Sequence, residues 1–182
     1  MRQPTKYVIR KAKQEDLARC LQIDHTYETD YVWQMSVMTE GAIMRVTFRE
    51  ERLPRAMHVN FHPDFDALQK VWQQEECFLV AEHRGTIWGY GTMLTDALNG
   101  SSRITALAVD VPQRRRGIGS ALLHEMRTWA RKAGSSRLLV ETQTKNVPGI
   151  RFCYQHGLSF CGFNDRYYAN QDIALFFGQD IR

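Results

Sequence analysis

Hydrophobic positions along the chain change their period several times, and each change marks an element. Residues 7–11 read as a first strand, and residues 14–25 place Leu17, Ala18, Leu21 and Ile23 near helical spacing. Residues 28–34 mix acids with aromatics and are expected to continue helically. Residues 43–48 alternate as a strand. Pro63 and Asp64 open a helix expected to run to about Trp72, with Asp64 or Asp66 near its start. Residues 77–82 and 86–95 read as strands joined by a tight turn at His83, Arg84 and Gly85. A strand over 104–109 precedes the strongest helix, residues 118–133, with Ile118, Leu122, Met126, Trp129 and Ala133 on one face and Gly134 as its stop. Residues 138–141 form a short apolar strand, and residues 146–156 a helix with Pro148 in its first turn. Strands over 160–162 and 172–177 complete the pattern. The order is mixed α/β, and the strand–helix–strand unit over about 102–142 calls for a parallel strand pair.

Composition narrows the class. In 182 residues, 43% are hydrophobic and 24% charged, ordinary globular usage that predicts one domain over residues 7–182. The net charge of +4 suits an anionic ligand but is too small to imply nucleic acid. No apolar run is long enough for a signal peptide or a membrane helix, so no membrane partner and a cytoplasmic location are expected. Cys20, Cys77, Cys153 and Cys161 are scattered without a CxxC pair, as reduced thiols would be. His58 and His62 are spaced i, i+4, but Pro63 follows them and argues against a metal-binding helix, so no metal is expected.

The chemistry concentrates between Ile104 and Ser120. A strand ends, a turn carrying Arg114, Arg115, Arg116, Gly117 and Gly119 follows, and the strong helix begins. Helix N-terminal amides and the helix dipole favour an anion at such a turn. Gly117 and Gly119 remove side chains, so a phosphate can approach the backbone, and the arginines add positive charge. A Walker loop is absent, and Leu122 occupies the third glycine position of a dinucleotide fingerprint, so neither of those sites fits.

Arg114-x-x-Gly117-x-Gly119, after the strand Leu107-Ala108-Val109-Asp110-Val111, resembles the Q/R-x-x-G-x-G/A signature of the GNAT superfamily of acetyl-CoA-dependent N-acetyltransferases. The run Asn146-Val-Pro-Gly-Ile-Arg-Phe-Cys-Tyr-Gln-His-Gly157 is similar to that family's next helix. The resemblance implies a central twisted mixed sheet of six to seven strands, splayed in the middle and flanked by about four helices. It implies acetyl-CoA as co-substrate. The backbone of Leu107, Ala108 and Val109 would face the pantetheine arm, Arg114, Arg115, Arg116, Gly117, Ile118, Gly119 and Ser120 would hold the pyrophosphate, and Asn146 would contact the arm or a catalytic water. An amide near Val109 could polarise the thioester carbonyl.

The family's usual acid is a tyrosine directly after the helix phenylalanine. Cys153 holds that place here and Tyr154 follows, so three alternatives stand: Tyr154 as the acid, Cys153 as the acid, or a thiolate that leaves unaided. Thr105 sits where many members carry a glutamate, which leaves Glu141 and Glu82 as carboxylate candidates for the base. Residues 138–177, with Glu141-Thr-Gln143, Asn146-Val-Pro148, Gly162-Phe-Asn-Asp165 and Asp172-Ile-Ala-Leu-Phe-Phe177, are similar to streptothricin acetyltransferases. That implies a small cationic amine as acceptor, met by acids and aromatics from the first two helices: Asp24, Tyr27, Glu28, Asp30, Tyr31 and Trp33. The alternatives are a protein N-terminal or lysine acetyltransferase and a non-catalytic CoA-binding protein. A monomer or homodimer is expected.

Overall fold

The computed structural model describes residues 7–60, 65–74 and 76–181. Seven strands form a mixed sheet in the order β1-β4-β5-β6-β7-β9-β8, and β2 and β3 pair in a sheet of their own. The strands are β1 (Val8–Lys11), β2 (Tyr27–Glu40), β3 (Ile43–Val59), β4 (Cys77–His83), β5 (Thr86–Asp96), β6 (Ser101–Val109), β7 (Arg137–Gln143), β8 (Ser159–Asn164) and β9 (Ala174–Asp180). The helices are α1 (Leu17–Leu21), α2 (Phe65–Gln73), α3 (Ile118–Lys132) and α4 (Val147–Gln155). The chain divides into two compact units, one of Met1–Thr26, Asn60–Val140 and Gly178–Arg182, the other of Tyr27–Val59 and Glu141–Phe177.

In the first unit β4 and β5 form the expected hairpin. His83 pairs with Thr86, and Arg84 and Gly85 both have positive φ (49° and 80°), the mirror-image turn that matches strand twist. β5 continues antiparallel into β6, and residues 101–104 of β6 run parallel to residues 137–140 of β7. One core cluster gathers Phe78, Val80 and Tyr90 with Leu17, Cys20 and Ile23 and with Leu68 and Val71 of α2. The opposite face of β5 carries α3. Gly91 permits that approach, because a Cβ there would stand 2.6 Å from the Met126 sulfur. Met126 is fully buried and has little room to yield. Gly91→Ala is therefore expected to lower stability by about 1–3 kcal/mol through overpacking. A fall in the denaturant midpoint at unchanged slope checks this; an unchanged midpoint would show that α3 relaxes outward.

The buried face of α3 is Ile118, Leu122, Leu123, Met126 and Ala130. Leu123 and Ala130 replace the predicted Trp129 and Ala133, of which Ala133 is exposed. Gly134 (φ 82°) ends the helix as expected. The predicted helix over 14–25 shortens to a 3₁₀ turn (Gln14–Asp16) followed by α1. Beyond α1, the Asp24 carboxylate accepts the Thr26 amide (2.8 Å), a local turn that competes with helix. The predicted opening at Pro63 and Asp64 lies outside the described residues.

The second unit corrects one prediction outright: residues 28–34 are strand. β2 and β3 form a long antiparallel hairpin, from Tyr27 opposite Val59 to Glu40 opposite Ile43. Tyr27, Thr29, Tyr31 and Trp33 alternate with the exposed Glu28, Asp30 and Gln34, a period of two built from aromatic and β-branched residues. The mix of acids and aromatics suggested a continuing helix, but strand periodicity prevails. Asp30 lies at a register break, where residues 53–56, including Pro54, form a bulge with no strand partner. In α4, Val147, Ile150 and Cys153 point into the core, and β9 adds Ala174, Leu175 and Phe177.

Candidate active site

Candidate site residues occur in both units. In the first, β6 ends at Val109, and the Asp110 amide bonds the Trp88 carbonyl (2.8 Å). A 3₁₀ turn (Val111–Gln113) leads to the three arginines. Gly117 then takes a left-handed conformation (φ 82°) as the residue before α3, which a Cβ would strain. The first helical hydrogen bond runs from the Ala121 amide to the Gly117 carbonyl (3.0 Å), so the amides of Ile118, Gly119 and Ser120 stand ahead of the ladder. The side chains of Arg115 and Arg116 are exposed. This turn can bind an anion by amide dipoles and charge together.

Arg114 differs from its neighbours. Its Nε donates to the Val109 carbonyl (2.9 Å), Nη1 to the Thr26 carbonyl (2.6 Å) and Nη2 to the Asp24 carbonyl (2.7 Å). Thr105 bonds Thr92 hydroxyl to hydroxyl (2.8 Å). Glu82 is engaged in structure: Arg10 Nε donates to it at 2.6 Å and the Gly85 amide at 3.2 Å. Arg10, foremost, holds that carboxyl below its ordinary range, so Glu82 is a poor base.

In the second unit, α4 separates the two acid candidates. Cys153 is 2% exposed, and burial pushes its thiol up to about 12. Tyr154, one position on, is 46% exposed, with its ring edge-on to Phe177 (5.3 Å) and 6.1 Å from Trp33. Partial burial, with a smaller contribution from Cys153, holds its phenol above the ordinary tyrosine value. Asn146 caps α4: its Oδ1 accepts the Gly149 amide (3.0 Å) and its Nδ2 donates to Thr142 (2.9 Å). Half-buried Glu141 accepts the Tyr167 hydroxyl (3.1 Å).

Of the six predicted acceptor residues, Asp24 lies in the turn after α1 in the first unit, and the other five separate. Tyr27 donates to Gln143 (3.4 Å), Tyr31 lies under the Arg151 guanidinium (5.4 Å), and Trp33 meets Tyr154 and donates to Glu50 (3.4 Å). Glu28 instead sits near His58 (3.6 Å), and Asp30 borders the Pro54 bulge. Strand geometry explains the division, since Glu28 alternates in direction with Tyr27 and Thr29. Tyr168 was not singled out. Burial and then Glu141 raise its phenol, and its amide bonds the Asp172 carbonyl (3.3 Å). The tyrosine pair Tyr167 and Tyr168 in a polar loop was the available signal. Among the described residues no group of three His, Cys, Asp or Glu side chains could hold a metal, and no helix is long and apolar enough to cross a membrane. His62 lies outside the described residues.

Streptothricin acetyltransferase A of Bacillus subtilis (strain 168) is 32% identical over 82 residues, covering 43% of this chain and 47% of the relative. An IAA acetyltransferase of Azospirillum brasilense is 36% identical over 92 residues, covering 50% and 60%. The chain thus spans about half to three-fifths of the length of these curated relatives. A crystal structure of nourseothricin acetyltransferase superposes with a TM-score of 0.82 at 22% identity, covering 97% of this chain and 99% of that one. A protein assigned as a streptothricin acetyltransferase, from Bacillus anthracis str. Ames and in complex with acetyl coenzyme A, gives 0.78 at 18%, covering 98% and 99%. At these identities the likeness is one of fold. The Acetyltransferase (GNAT) family model matches residues 45–158, well over half of the chain and inclusive of β6, the arginine–glycine turn and α3. The chain belongs to the GNAT acetyltransferase family.

Proposed function

We propose that the protein is an acetyl-CoA-dependent N-acetyltransferase acting on a primary amine of a small cationic acceptor of the streptothricin kind. The observation that carries the donor is the left-handed Gly117 between β6 and α3, which sets the amides of Ile118, Gly119 and Ser120 ahead of the helix ladder beside exposed Arg115 and Arg116. That arrangement fits a pyrophosphate. The backbone of Leu107, Ala108 and Val109 would hold the pantetheine arm, and the Val109 amide would polarise the carbonyl.

Acetyl-CoA supplies an activated acetyl group, which passes to the amine as the C–N bond forms and the C–S bond breaks. The chain's own residues manage the protons. Glu141 takes the proton from the acceptor ammonium, directly or through water, which frees the lone pair. Tyr154 gives its proton to the departing sulfur and recovers one from solvent. Asn146 acts indirectly, by capping the helix that carries Tyr154. Tyr27, Tyr31 and Trp33 offer ring faces to the acceptor's cationic groups, and Glu28 and Asp30 add a longer-range field.

The test is release of free CoA on incubation with acetyl-CoA and a panel of streptothricin, other polyamines and basic peptides. Release with streptothricin is the expected result. Release with peptides alone favours a protein N-terminal acetyltransferase, a second reading encouraged by the fold likeness to the ribosomal-protein-S18-alanine N-acetyltransferase of Escherichia coli (TM-score 0.69, 15% identity, covering 97% of this chain and 94% of that one). Tight acetyl-CoA binding with no release for any acceptor overturns the assignment to this substrate class.

A further inference from the structure

We propose that Arg114 is a positioning residue: its guanidinium clamps the segment leading into the acceptor strand onto the donor turn, instead of serving as a phosphate ligand. The inference rests on the acetyl-CoA reading for its consequence in activity, but the clamp itself is a property of the ligand-free chain.

All three guanidinium nitrogens donate to backbone carbonyls, one at the end of β6 and two in the segment after α1, 88 and 90 residues away in sequence. The planar fork of an arginine spreads its donors over three nitrogens and can reach three separated carbonyls at once; a lysine gathers its three donors on one nitrogen and cannot span them. One further bridge fastens the same pair of segments: Arg19 on α1 pairs with Asp110 (2.5 Å), directly after β6. Another ties the first segment to β5, where the Tyr90 hydroxyl lies 3.0 Å from His25 Nε2 and Tyr90 is buried opposite Ala108. Residues 19–26 are thus joined to residues 109–114 by Arg19 and Arg114, with Arg114 making the most bonds.

The consequence concerns both substrates. Thr26, whose carbonyl Arg114 holds, is followed directly by Tyr27, the first residue of β2. The conformations of residues 109–114 and of residues 24–26 are therefore tied through a side chain that need touch neither substrate. The positive charge of Arg114 still adds to the field at the turn.

The two roles predict different responses to Arg114→Lys. A phosphate ligand would keep most of its function as lysine, itself a good phosphate binder. A clamp would be lost in R114K as fully as in R114A. Hydrogen exchange of the ligand-free protein is measured for peptides covering 22–27 and 109–117, alongside acetyl-CoA binding by calorimetry. The expected result is exchange on the order of tenfold faster in both segments for R114K and R114A, with acetyl-CoA affinity weakened similarly in the two variants. Exchange at the wild-type rate in R114K, or acetyl-CoA affinity preserved in R114K and lost in R114A, overturns the clamp. Arg114→Gln, whose amide has two donors and cannot reach all three carbonyls, should give intermediate exchange and serves if the other variants do not fold. Failure of the wild-type protein to bind acetyl-CoA would instead overturn the donor assignment and leave the exchange result standing.

Discussion

Gly119→Asp is expected to lower the affinity for acetyl-CoA by about three orders of magnitude while leaving the melting temperature unchanged. Gly119 is the second residue of α3, and its amide stands ahead of the helix ladder. A carboxylate there would meet the pyrophosphate at close range. Two unit charges 4 Å apart at an effective dielectric of 20 repel by about 4 kcal/mol, or about a thousandfold in affinity. The same carboxylate is favourable to the helix itself, because an acid in the first turn complements the dipole. Binding and stability should therefore separate. Calorimetric titration beside a thermal melt checks both, and affinity within threefold of wild type would mean that the pyrophosphate does not lie at the α3 N-terminus.

Tyr154→Phe is expected to reduce kcat by about a hundredfold or more at every pH, the usual worth of a positioned general acid, with acetyl-CoA binding unchanged. The sign of the pH dependence follows from the phenol's environment. Burial, foremost, raises its pKa above the ordinary value of about 10, so the proton-donating form persists throughout the working range. The acid should therefore impose no decline in rate on the alkaline side below about pH 10. Cys153→Ala is the companion variant. A thiol that is 2% exposed and raised to about 12 has no path to the chemistry, so kcat should stay within about twofold while stability falls by about 1–2 kcal/mol for the lost packing. Full activity in Tyr154→Phe would show that the sulfur leaves without a protein acid. Loss of activity in Cys153→Ala at normal stability would transfer the role to the thiol.

The family was legible because its signature is local. Arg114, Gly117 and Gly119 stand within six residues, between a strand of period two and a helix of period 3.6, and the anion-binding physics needs only those neighbours. The hairpin turn at Arg84 and Gly85, Pro148 in the first turn of α4 and the stop at Gly134 were equally readable, since each depends on backbone preferences over a few residues. The stretch 28–34 was misjudged although it is also local. Acids next to aromatics suit a helix start and a hairpin strand alike, and the choice is made by β3, whose residues pair with it from Ile43 to Val59.

What tertiary structure alone decided is where each side chain spends its hydrogen bonds. Chain order places Cys153 and Tyr154 one position apart, but only packing against the core sets the phase of α4 that buries one and exposes the other. Glu82 reads as a candidate base until the register of β1 on β4 brings Arg10 to it. Arg114 stands in the signature turn, but only folding brings it the carbonyls of Asp24 and Thr26 from 90 and 88 residues away. Short-range signals record what a segment can do, because backbone preference and amphipathic period act within one or two turns. Which capacity is used depends on partners brought together from distant segments, and no local pattern encodes them.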